Sequence, residues 1–135
     1  MNRSNRWTYF PPLACFALAL ALLGLGCGSK KYTIEVTTDP DCNKNPVPRE
    51  CMMSRSHADK VRWHNMSGKD LALEFDNGWP FKEPQEDKVP IKAGDYSSYY
   101  TLNKSLSVPA NHKFTYKDPA LPSCGPGEPA IVDGP

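Results

Sequence analysis

The sequence predicts an all-β domain, a sandwich of two sheets made from about seven short strands. Apolar and polar residues alternate over short runs, with none of the spacing of a long amphipathic helix. Those runs are rich in β-branched and aromatic residues. The 14 prolines and 9 glycines cluster between them as turn signals.

The first strand is read over Tyr32–Thr38, with Tyr32, Ile34 and Val36 facing inward. DPDCNKNPVPRE, Asp39 to Glu50, follows as a turn-rich loop. Lys60–Asn65 alternates again and puts Val61 and Trp63 on one face. Met66–Asp70 is a turn, and Leu71–Phe75 is a strand with Leu71, Leu73 and Phe75 together. Asp76-Asn77-Gly78 is a strong turn signal. WPFKEPQEDK, from Trp79, is a proline-bearing loop, and Val89–Lys92 begins a strand that Ala93-Gly94 interrupts. Tyr96–Leu102 and Lys113–Lys117 are strands, the latter with Phe114 and Tyr116 paired. DPALPSCGPGEP, from Asp118, is a loop, and Ala130–Asp133 closes the domain.

Ahead of this domain lies a different kind of segment. Arg3 and Arg6 make the start basic, and Trp7 to Gly26 is an uncharged run rich in Ala and Leu. That is the secretory signal pattern. At about 20 residues the run could span a bilayer. Pro11-Pro12 shortens its helical part to about 14 residues, the length of a signal h-region. Leu23-Gly24-Leu25-Gly26-Cys27 resembles the bacterial lipobox, with Gly24 where leucine is more usual. The resemblance implies cleavage before Cys27 and acylation of its thiol, so that membrane lipid is the first partner. A plain signal peptide or an uncleaved anchor is the alternative. Two or three acyl chains hold a protein stably where one does not. Gly28 stands where enterobacterial lipoproteins carry an aspartate for inner-membrane retention, which favours the outer membrane. The expected layout is a signal peptide over 1–26, a lipidated cysteine and short tether over 27–31, and the domain over 32–135. The tether reaches at most about 14 Å, so Lys30 and Lys31 are expected near the headgroups.

The mature chain would hold about 110 residues, enough for one small domain. The whole chain carries a formal charge of +1, and loss of Arg3 and Arg6 leaves −1. That balance gives no reason to expect nucleic acid as a partner. Export permits disulfides. Cys15 leaves with the signal and Cys27 takes lipid, so Cys42, Cys51 and Cys124 remain for one bridge and one leftover thiol. Cys42 and Cys51 flank the loop NKNPVPRE. A Cys51–Cys124 bridge would close about 70 residues, for roughly 4–5 kcal/mol in the chain-entropy model, and is preferred.

Asp59-Lys60-Val61-Arg62-Trp63-His64-Asn65 resembles the GD-x-V-x-W-x-N strand of cupredoxins. The turn from Met66 to Asp70, the strand ending in Phe75, Pro80-Phe81, Ile91 to Gly94 with Ser97, Lys113 to Tyr116 and the final Ile-Val strand keep the order of that family. The resemblance covers Tyr32 to Asp133 and implies a Greek-key sandwich of the plastocyanin type. A blue-copper site needs two His, a Cys thiolate and usually a weak axial Met. Leu71 stands at the first His position, and the loop from Asp118 to Cys124 holds no His or Met. The expectation is therefore a scaffold without the copper site, with no cofactor and no metal.

No catalytic motif or phosphate-cradling glycine loop is present, and no enzyme activity is expected. The leading expectation is a non-catalytic binding or structural module of the cell envelope that touches another envelope protein. Trp79, Phe81 and Tyr99 are its candidate contact surface. The alternative is a copper-binding or electron-transfer protein with non-standard ligands from Cys51, Met52, Met53, His57, His64, His112 and Cys124. Cys51-Met52-Met53 with His57 is the tightest soft-ligand cluster.

Overall fold

The computed structural model describes residues 28–119, 121–124 and 128–134. The expected signal peptide, Cys15 and Cys27 lie outside the described residues. Nine strands form: β1 (Lys31–Val36), β2 (Glu50–Ser54), β3 (Lys60–Asn65), β4 (Leu71–Phe75), β5 (Phe81–Glu83), β6 (Lys88–Ile91), β7 (Tyr100–Leu102), β8 (Lys113–Lys117) and β9 (Ala130–Gly134). No helix occurs among the described residues. The fold is all-β and sandwich-like. One sheet has the order β1-β3-β7-β5 and the other β2-β9-β8-β4-β6.

Successive strands alternate between the two sheets as far as β8. Neighbours in sequence therefore face each other across the core. β1 and β3 pair in parallel, Lys31 beside Lys60, with β2 of the other sheet between them in the chain. β2 and β9 are also parallel, and every other pairing is antiparallel.

Period-2 alternation fills the space between the sheets. Ile34, Val36, Val61, Trp63, Leu73, Phe81, Tyr100, Phe114, Tyr116 and Ile131 are all buried. Trp63 is the hub. Its indole meets Phe75, Phe81, Tyr100 and Tyr116 edge-to-face at centroid distances of 5.7–6.4 Å. Each such pair contributes about 0.5–1.5 kcal/mol beyond its buried area. Tyr32 was expected inward with Ile34 and Val36 but is only half-buried.

Four buried polar side chains tie the elements together. Asp59 Oδ1 accepts from the Lys30 amide at 2.8 Å, and Oδ2 from the Ser54 amide at 2.9 Å. Asn65 Nδ2 donates to the carbonyls of Lys69 and Ile91, while its Oδ1 accepts from Ser67. Asn45 holds the β1–β2 loop by donating to the carbonyls of Thr37 and Asp39. The buried Asp133 carboxylate pairs with Arg55 Nε at 3.1 Å. The same guanidinium donates to the carbonyls of Leu106 and Val108, fastening the β7–β8 loop to β9.

The cysteine pairing corrects the expected Cys51–Cys124 bridge. Cys42 pairs with Cys124, at a Cα–Cα distance of 6.0 Å and a sequence separation of 82, and Cys51 is free and buried. Closure entropy barely separates the two choices, by about 0.1 kcal/mol. Strand geometry decides. On β2 the burial alternates, and Cys51 and Met53 both point into the core. Cys124 lies on the β8–β9 loop beside Cys42, Arg49 and Glu50.

Candidate functional site

The junction with the expected lipidated cysteine has no slack. Ser29 Oγ donates to the Ala58 carbonyl at 2.8 Å, the Lys30 amide to Asp59, and the Lys60 amide to the Lys30 carbonyl at 2.8 Å. The segment read as a tether is thus fastened to the domain from Ser29 onward, and β1 begins at Lys31.

The copper-ligand candidates do not converge. Cys124 is in the disulfide. Burial pushes the Cys51 thiol up to about 12, helped by the nearby Asp59 charge, so at neutral pH it keeps its proton. A protonated buried thiol is a poor nucleophile and a poor ligand. Met53 is in the core, whereas Met52 is exposed. His64 stacks on Tyr96 at 4.0 Å, His112 packs edge-on to Phe114 at 4.6 Å, and His57 is exposed on the β2–β3 turn. Among the described residues, no group of three or more His, Cys, Asp or Glu side chains is placed to share a metal ion.

The expected contact surface is also redrawn. Phe81 is in the core, 2% exposed. Trp79 is half-buried and packs on Phe75, Phe81 and Tyr100 at 5.3–5.7 Å. These two rings close one end of the core, because the β4–β5 turn folds back along β8 through Asn77, whose Nδ2 donates to the Lys113 carbonyl. Tyr99 stays partly exposed, and Tyr96 is 50% exposed. Its signal in the sequence was the Tyr-x-x-Tyr-Tyr run. Of its three tyrosines, only Tyr100 turns into the core.

A groove of about 590 Å³ opens between β4, β8 and the β8–β9 loop. Ala72, Tyr116, Pro119, Leu121, Pro122 and Pro129 give it apolar walls, and Glu74, Lys117 and Glu128 lie at its margin. Lys117 pairs with Asp76 at 2.5 Å, and this bond with the Asp76 charge raises its pKa. The sequence reads Ala72, Glu74, Tyr116 and Lys117 as strand residues and the stretch from Asp118 as a loop; what makes them a groove is the packing of that loop over β4 and β8. The groove and the Ser29–Lys30 segment lie at opposite ends of the sandwich. β9 runs from the groove at Pro129 down to Gly134, which pairs with Ser54, and Ser54 shares the Asp59 carboxylate with Lys30. No protein-family model matches this chain, and a search of curated proteins found no match.

Proposed function

We propose that this chain is a lipid-anchored, non-catalytic binding module of the bacterial envelope. It is a copper-free, cupredoxin-like sandwich held at a periplasm-facing surface by Cys27, and it offers a partner its distal groove. The observation that carries the reading is the separation of the two ends. An anchor junction without slack lies at one, and an apolar groove rimmed by charge lies at the other. The lipobox-like run ending at Cys27 supports the anchor, and Gly28 favours the outer membrane. Among the described cysteines, the Cys42–Cys124 bridge and the protonated Cys51 thiol support a copper-free reading.

The test fractionates cells that make the full chain or Cys27→Ser. The native chain is expected in the outer membrane with the mass of an acylated Cys27, and the variant is expected to keep its precursor length and gain no lipid. The purified native chain is then titrated with Cu(II) and Cu(I). A stoichiometric thiolate-to-copper absorbance band overturns the binding-module reading. A photo-crosslinking residue at position 121 is expected to form one discrete protein adduct in cells, which a second crosslinker at the remote Lys82 does not form.

A further inference from the structure

The outer face of the first sheet carries a feature that the groove does not use. The outward residues of β3 are Lys60, Arg62 and His64, and those of neighbouring β1 are Lys31, Thr33 and Glu35. Tyr96 and Tyr99 lie over the same face. The Arg62 guanidinium is 4.1 Å from the Tyr96 ring centre and 4.9 Å from that of Tyr99, and Lys31 Nζ is 5.2 Å from the Tyr99 ring. Arg62 Nε donates to Thr33 Oγ1 at 3.2 Å. The guanidinium is therefore held by two rings and one hydroxyl. Its terminal NH₂ groups have no hydrogen-bond partner among the described residues.

A restrained guanidinium loses little further freedom when it binds, and its fork matches two oxygens of a phosphate. Lysines surround it. Lys31 and Lys60 are register partners, and Lys30 precedes them. Glu35 is the only acid among the outward residues of β1 and β3. It sits beside His64, toward the end of β1 away from the anchor. Positive charge is thus concentrated where the chain leaves Cys27. β1 is also the edge strand of its sheet.

We propose that this face lies against the bilayer, with Arg62, Lys31 and Lys60 taking the phosphates of phospholipid headgroups and Tyr96 and Tyr99 seated at the interface. The inference rests on the lipid anchor proposed above. Cys27 is four residues from Lys31, and Ser29 and Lys30 are bound to the domain, so acylation brings this basic face within about 14 Å of the membrane. Tyrosine and basic side chains suit the headgroup layer, and anionic lipid attracts the lysines. In this pose the groove, built on the second sheet, faces away from the lipid.

The test uses the acylated full chain in uncharged maltoside micelles and in vesicles containing phosphatidylglycerol. Iodination by a peroxidase that stays in the water reads each tyrosine by mass spectrometry. Tyr96 and Tyr99 are expected to be labelled ~5-fold less in vesicles than in micelles. Arg62→Gln and Lys31→Glu, both at exposed or half-exposed positions, are each expected to restore labelling while the chain still floats with the vesicles. Equal labelling of a chain that floats overturns the pose and leaves the anchor intact. A chain that does not float removes the anchor, and the pose with it. Protection by inorganic phosphate in micelles, with none added by vesicles, makes this a site for free phosphate and overturns the membrane assignment.

Discussion

Cys51 faces the core from β2 and keeps its proton because burial disfavours the thiolate. Burial raises Tyr100 and Tyr116 as well. The Glu86 carboxylate that accepts the Tyr100 hydroxyl at 2.6 Å adds to the first, and Trp63 offsets part of the second. A group that holds its proton more tightly when folded stabilises the fold fully below its unfolded pKa. That stability is lost as pH rises through the folded value. Stability is thus expected to stay flat through neutral pH and to fall from about pH 9 toward pH 12. Denaturant midpoints across that range check it, and a midpoint that holds level to pH 12 contradicts it. At pH 8 a thiol reagent should leave the native protein unlabelled and modify one thiol after unfolding. At this scale the sequence was partly legible. Trp63 and Tyr116 read as inward from alternation alone. Cys51 did not, because it was assigned to a bridge with Cys124 and no strand was read over Cys-Met-Met.

Asp59 works at the scale of elements. One buried carboxylate fixes the entry to β1 through Lys30 and the end of β2 through Ser54, and its own carbonyl accepts from Leu102 of β7 at 2.9 Å. Asp59→Ala leaves two amide donors without their charged acceptor. The expected cost is roughly 3–5 kcal/mol. Hydrogen exchange should accelerate at Lys30 and Ser54 before it does at Trp63. Uniform acceleration across all strands would contradict this role. β1, β3, β4 and β8 were legible because each alternates over at least five residues, and β9 was legible as a short apolar run after a turn-rich loop. β5 has three residues and leaves no period to detect. The strand expected from Tyr96 shrank to Tyr100–Leu102. Its first residues lie over the outside of β3, where Tyr96 forms only an isolated bridge to His64.

For the whole molecule, the Cys42–Cys124 bridge joins the β1–β2 loop to the β8–β9 loop across 82 residues. The chain-entropy model gives such a closure about 4–5 kcal/mol. Cys42→Ser with Cys124→Ser should lower stability by up to that amount, read as the denaturant midpoint, and it should loosen the groove beside the β8–β9 loop first. A doubly substituted chain as stable as the native one would show that the loops are held by other contacts, such as Arg49 Nη1 on the carbonyls of Cys42 and Asn45.

The sequence by itself determined the all-β class, most of the strands and the inward face of β3, β4 and β8. Those follow from period-2 alternation and turn residues, which act over a few positions of the chain. Only the tertiary structure decided which cysteines meet, that Phe81 belongs to the core, that Arg62 lies between two tyrosines, and that a groove opens at the end opposite Ser29 and Lys30. Each of these depends on contacts between segments more than 30 residues apart or on the path of a loop, for which short-range alternation carries no signal.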